Sequence, residues 1–320
     1  MINSFQLIDA YRGLAIDQSS QDAHIDAFLD HLKPDELQGD YRRFSQLFVF
    51  GDSLSDMGNT FKLTKQAFGQ GIPPAPPYFP GHFCNGPVWV DYLARFLKLS
   101  SCEHTTFAIA GATTGSINTL PDTPANLVLP GLQQQIETFI TSLEGTQADS
   151  DALYVIWAGA NDYLSGQITN PTGSIENLMQ AAKNLIDAGV KNLMVANLPS
   201  LGKLPKPRLD SDRAKGLNAL TNAHNASLAT ALQALQQSVS SEVSIMLFDV
   251  NSLLERVLAE PEQFGFTNVT DAEMTVLADL RGYTDKFFFW DAVHPTTIAH
   301  LILAKEAVSL LAVKTEALVC

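Results

Sequence analysis

Phe48-Val49-Phe50-Gly51-Asp52-Ser53-Leu54-Ser55-Asp56 begins as an apolar run and breaks, at a glycine, into polar residues. A short apolar run stopped by Gly reads as a strand buried on both faces, as in a parallel sheet, followed by a tight turn. Taking residues 47–50 as the first such strand, four more runs follow at 106–110, 153–157, 193–196 and 244–248. Segments with helical spacing of apolar residues lie between and after them, at 88–97, 132–143, 174–188, 213–239 and 296–313. This alternation predicts an α/β fold in which a five-stranded parallel sheet lies between two helical layers. Right-handed crossovers bring the C-terminal ends of the strands to one edge, where ligands bind in such sheets.

The residues at those strand ends carry chemistry. Gly51 permits a sharp turn, and Ser53 just beyond it can turn its hydroxyl to the cleft and offer its own N–H to a substrate oxygen. Serine is also a preferred helix N-cap, and on this stretch alone the two readings are equal. Near the other end stands Trp290-Asp291-Ala292-Val293-His294-Pro295. A carboxylate three residues before a histidine in a turn can hold one ring nitrogen and leave the other free to take a proton from a serine. Alone, such a pair is more often two surface groups; the serine-bearing turn gives it weight. After the second run comes Ala110-Gly111-Ala112, and after the third Gly159-Ala160-Asn161-Asp162. The Gly111 N–H and the Asn161 side-chain amide could stabilise a developing oxyanion. A tight turn and a helix cap are the plainer readings of these two.

The bulk properties narrow the field. The chain has 320 residues, 46% of them hydrophobic, enough for a sizeable core, and a net charge of −14 that would repel nucleic acid. No window of 18 apolar residues suggests a transmembrane helix. The first residues lack a basic region followed by an apolar run, so as the sequence stands the expectation is a cytoplasmic protein, exported if a leader has been removed. Residues 1–44 form an expected N-terminal helical extension, with Ile25, Phe28, Leu29 and Leu32 on one face and Pro34 as its stop. Residues 45–320 form the main domain. Three cysteines, Cys84, Cys102 and Cys320, suit unpaired thiols, with a Cys84–Cys102 bridge as the alternative. The seven histidines are scattered, so neither a metal nor a cofactor is expected. The oligomeric state is left open.

Taken together and in order, these features resemble the GDSL lipase/esterase family of the SGNH hydrolase superfamily. Gly51-Asp52-Ser53-Leu54 matches its nucleophile motif, Gly111 its oxyanion glycine, 159–162 its Gly-x-Asn-Asp motif and 291–294 its Asp-x-x-His motif. Pro77-Tyr78-Phe79-Pro80-Gly81, Asn197-Leu198-Pro199 and Phe248-Asp249-Val250-Asn251 are similar to its plant-like and bacterial lipase/acyltransferase branch. The resemblance implies a flavodoxin-like three-layer α/β/α sandwich and cofactor-free hydrolysis of carboxylic esters. It further implies Ser53, Asp291 and His294 as catalytic triad, and Ser53, Gly111 and Asn161 as oxyanion hole. Thr106 and Ala110 depart from the family's usual Asn and Gly.

Other classes fit less well. An α/β-hydrolase needs Gly-x-Ser-x-Gly, and no segment supplies it. A catalytically silent binding module would not fill every matching position. Transfer of the acyl group to an alcohol is the close alternative, sharing the acyl-enzyme. The expected substrate is a small-molecule or lipid ester with a short-to-medium acyl chain. Its cleft would be walled by residues 69–86 and 254–289, through Ile72, Tyr78, Phe79, Phe83, Phe264, Phe266, Phe287 and Phe289.

Overall fold

Along the first strand, β1 (Leu47–Gly51), side chains alternate between two separate cores: Leu47 and Val49 enter one, Phe48 and Phe50 the other. The same alternation runs through β3 (Leu153–Trp157), where Val155 and Trp157 face one side and Tyr154 and Ile156 the other. Strands apolar on both faces must be covered on both faces. In the computed structural model of the chain, which describes residues 44–99, 104–121, 123, 127–166, 168–276 and 286–317, they are. With β2 (His104–Thr106), β4 (Asn192–Ala196) and β5 (Ser244–Phe248) they form a five-stranded parallel sheet of order β2-β1-β3-β4-β5, the flavodoxin-like order that the resemblance implied.

The helices in chain order are α1 (Asn59–Phe68), α2 (Trp89–Phe96), α3 (Leu132–Ser142), α4 (Ala160–Leu164), α5 (Thr172–Asp187), α6 (Ser211–Ser238), α7 (Val250–Ala259), α8 (Glu273–Val276) and α9 (Thr297–Ala317). On one face α2, α7 and α9 bring Trp89, Leu93, Leu253, Val257 and Ala304 onto Val49, Trp157 and Phe248. On the other, α3, α5 and α6 bring Phe139, Leu178, Leu185 and Leu228 onto Phe50, Tyr154, Ile156 and Val195. Phe139 makes a T-shaped contact with each of Phe50, Phe107 and Tyr154, centroids 5.6–5.8 Å apart, and such pairs add about 0.5–1.5 kcal/mol each beyond burial.

Two features differ from the sequence reading. The second strand is His104–Thr106 rather than 106–110. Phe107 and Ile109 still donate to Val49 and Gly51 of β1, but the Asn59 amide takes the Thr106 and Ala108 carbonyls and Asp56 and Thr60 take the Ala110 N–H, so the chain leaves the sheet. A separate parallel pair, β6 (Asn268–Ala272) with β7 (Phe287–Phe289), was not read at all. The N-terminal helix, Cys102, Cys320 and hence the Cys84–Cys102 pairing lie outside the described residues; Cys84 is a buried free thiol. Among the described residues no helix is long and apolar enough to cross a membrane.

Candidate active site

The turn after β1 is held rigid from several sides. A Cβ on Gly51 would lie 2.2 Å from the Trp157 carbonyl of β3, so glycine is required there by close strand approach, not by the turn itself. Gln135 of α3 clamps the Gly51 peptide at both ends, accepting from its N–H at 2.9 Å and donating to its carbonyl at 2.8 Å. The capping alternative for Ser53 fails, because Asp56 takes the free N–H groups of Gly58, Asn59 and Thr60 where α1 begins. The Ser53 hydroxyl instead meets the His294 Nε2 at 2.8 Å.

The Asp291–His294 turn is equally constrained. The Asp291 Oδ1 accepts the N–H groups of Val293 and His294 at 2.9 and 2.8 Å, and its Oδ2 holds the His294 Nδ1 at 2.7 Å. The turn is pinned to β7 through an isolated Phe289–Pro295 bridge and to the 84–87 loop through the Thr297 N–H, which donates to Asn85 at 2.8 Å. Burial alone would raise the Asp291 carboxyl, but the imidazolium charge, its ring N–H and the two backbone donors hold it at about 2. Burial alone would lower His294, but the charge and hydrogen bond of Asp291, helped by Asp52, raise it above its ordinary 6.5. Asp52 itself is pushed up to about 7 by burial, with the Leu54 N–H and His294 opposing and Asp162 and Asp56 adding.

Three donors surround the Ser53 hydroxyl side of the cleft. Gly111 has φ +78°, and a Cβ there would meet Leu120 N at 2.4 Å, so only glycine brings this N–H to the cleft wall. Among the described residues neither the Ser53 nor the Gly111 N–H donates to a protein acceptor. Asn161 lies in the first turn of α4, whose cap is Gly159, so its amide does not cap the helix. It donates to the Ala112 carbonyl at 3.1 Å and, at 3.4 Å, to Asp52; the longer contact is the one a substrate oxygen could replace. Asp162 beside it ties the Gly111 loop down by accepting the N–H and hydroxyl of Thr114 and the hydroxyl of Ser174.

Ser53, Gly111, Asn161 and His294 line one cavity of about 300 Å³. Of the expected aromatic walls, Tyr78, Phe83 and Phe289 line it, while Phe266 is buried against Phe288 and Phe79 packs on His82. Leu254, at the start of the expected 254–289 wall, also lines it, but most of the wall comes from residues that the sequence did not mark, among them Leu253 of α7, Ile302 and Leu303 of α9, and Leu201 and Leu204. Tyr78 does more than line the cavity, since its hydroxyl donates to the Asp291 Oδ2 at 2.7 Å. No group of three or more metal-binding side chains occurs among the described residues.

The model of the GDSL-like lipase/acylhydrolase family matches residues 47–307. The chain is 28% identical over 86% of its length to a thermolabile hemolysin of Vibrio parahaemolyticus, of which the match spans 64%. It is 26% identical over 82% of its length to a phosphatidylcholine-sterol acyltransferase of Aeromonas hydrophila, spanning 89% of that protein. It is 28% identical over 82% of its length to a GDSL esterase/lipase of Arabidopsis thaliana, spanning 80% of it.

Proposed function

The chain belongs to the GDSL-like lipase/acylhydrolase family, and from that premise we propose that it hydrolyses acyl esters through a covalent intermediate on Ser53. It is a carboxylic ester hydrolase acting on small-molecule esters. The observation that carries the proposal is the continuous relay from the Asp291 carboxylate through His294 to the Ser53 hydroxyl, with contacts of 2.7 and 2.8 Å. His294 Nε2 takes the serine proton as Oγ attacks the ester carbonyl, then delivers it to the departing alkoxide. Water, deprotonated by the same nitrogen, attacks the acyl-enzyme, releases the acid and returns the proton to Ser53. The N–H groups of Ser53 and Gly111 and the Asn161 amide receive the negative charge of each tetrahedral intermediate.

The acyl chain is proposed to enter the apolar space between α7 and α9, where each methylene removed from water contributes about 0.8 kcal/mol. This favours short-to-medium acyl chains, lipid esters included. An added side chain at Ala299, which is buried at the cavity wall on α9, should shorten the accepted chain. We expect Ala299→Leu to lower kcat/KM on the longest aryl esters at least tenfold and on the acetyl ester less than threefold, a pocket discriminating by roughly 1–3 kcal/mol per misplaced methylene. A uniform loss across the series would remove α9 from the acyl site. The same series, run with lysophospholipids and with and without an alcohol acceptor, tests the second reading, acyl transfer. That reading is favoured by the Aeromonas relative's name and by the apolar residues that make up most of the cavity wall.

The pH profile provides a further test. His294 must be neutral to act as base, and its pKa is raised, so the protonated, inactive form persists above pH 6.5. The acid limb of kcat/KM should therefore have its midpoint above 6.5, an apparent value that belongs to His294 and the coupled Asp52 together. A midpoint below 6.5 would contradict the Asp291–His294 coupling.

A further inference from the structure

We propose that Tyr78 is a positioning residue for the reaction, the second side chain that aims the Asp291 carboxylate at His294. The proposal rests on the triad reading above.

The argument begins with the lone pairs of Asp291. Its Oδ1 is occupied by two backbone donors, so the orientation of Oδ2 decides how well the His294 ring is held. Among the described residues two side chains reach Oδ2: the His294 Nδ1 and the Tyr78 hydroxyl, each at 2.7 Å. The carboxylate is thereby bonded on both oxygens by four donors, and a hydrogen bond to a charged group is about twice as strong as a neutral one. Asp291 is mostly buried, and the Tyr78 ring packs edge-on against Phe83 and Trp290, at 6.3 and 6.2 Å between centroids. Phe83 also lies against the His294 ring at 5.4 Å, so Tyr78 and His294 share a wall as well as an acceptor.

The Tyr78 hydroxyl is well suited to donate rather than ionise, because burial and the Asp291 charge raise its pKa. Its loop is anchored independently of this bond. The Phe79 N–H donates to Cys84, the Cys84 thiol lies 3.5 Å from the Pro295 carbonyl, and His82 of the same loop pairs with Asp91 of α2. Removing the hydroxyl alone should therefore leave the loop in place and free only the carboxylate.

The test is Tyr78→Phe, which keeps the ring. We expect kcat to fall about tenfold with KM changed less than twofold, the scale of one charge-assisted hydrogen bond acting on the reacting state. The acid limb should also move to higher pH. Without the tyrosine donor the Asp291 charge is less dispersed and holds the His294 proton more strongly, while Asp52 and His300, the other titratable groups facing His294, are unchanged. In an Asp291→Ala background the same Tyr78→Phe change should cost less than twofold, because the acceptor is gone. An equal penalty in both backgrounds, or an unmoved acid limb in the single variant, would reduce Tyr78 to a wall residue. Labelling of Ser53 by an aryl phosphonate separates the two levels. If the otherwise unaltered protein is not labelled at Ser53 the triad reading fails, whereas labelling with a silent Tyr78→Phe overturns only this inference.

Discussion

Replacing Ser53 by alanine should lower ester turnover by roughly a millionfold, the scale on which a serine hydrolase loses its nucleophile, while the protein stays folded. The size follows from the mechanism, since among the described residues no other hydroxyl bonds to the His294 Nε2 to form the acyl-enzyme. Preservation of the fold follows from what holds the turn. Gln135 grips the Gly51 peptide, Asp56 takes the N–H groups at the start of α1, and the Leu54 N–H bonds to Asp52. The Ser53 hydroxyl takes part in none of these contacts. Thermal unfolding should thus shift by only a few degrees, and phosphonate labelling should vanish. Retention of more than about one per cent of the rate, at unchanged substrate and purity, would assign the nucleophile elsewhere.

The surroundings of that serine show how the fold tolerates several carboxylates close together. Asp52 and Asp56, in the turn that follows β1, and Asp162, in the first turn of α4, are all buried. Unpaired, each would be costly to keep charged there. Asp56 is compensated by backbone donors from two loops and by the Thr60 hydroxyl, yet burial still raises its pKa. Asp162 is compensated by Thr114 and Ser174, and in return fixes the loop that carries Gly111. Asp52 has fewer donors and is pushed up to about 7, so its own proton moves near neutral pH. The hydrogen bonds of these carboxyl groups therefore order the turns that present the cleft donors, and Asp52 couples to the base.

How much of this was legible depended on whether a residue's role is local. The strand runs at 47–50, 153–157, 193–196 and 244–248 could be read because both of their faces are buried. The four motif segments could be read because each stands directly at a strand end or before the last helix. Strand β6 could not, because Asn268-Val269-Thr270-Asp271-Ala272 has no apolar run, and it is held partly by Arg208, which binds the Thr270 carbonyl and the Asp271 carboxylate. The cavity wall was missed for a different reason. Helix α9 runs four apolar residues in a row, Leu301, Ile302, Leu303 and Ala304, so its apolar spacing does not tell which of them face the sheet and which the cleft. The aromatic residues of 69–86 and 254–289 were conspicuous in sequence, but Phe266 serves the core and Phe79 packs on His82. The bond from Tyr78 to Asp291 joins positions 213 apart, and nothing local to either residue announces it.

Asp291→Asn should lower kcat by about ten thousandfold, less than loss of the serine, because the nucleophile and the oxyanion donors survive. An asparagine can keep the Val293 and His294 N–H bonds through its carbonyl oxygen, so the turn should persist. What then faces the His294 Nδ1 and the Tyr78 hydroxyl is an amide NH2, which accepts from neither and favours the tautomer with its proton on Nε2, the wrong nitrogen for taking one from Ser53. The charge that had raised His294 is also gone, and burial now acts with only Asp52 opposing it. The residual activity should therefore show its acid limb at lower pH than the parent protein, opposite in direction to the shift expected for Tyr78→Phe. Steady-state rates from pH 5 to 9 on one aryl ester would read both effects. A variant that lost less than tenfold in kcat, or whose acid limb stayed in place, would show that Asp291 does not govern the state of His294.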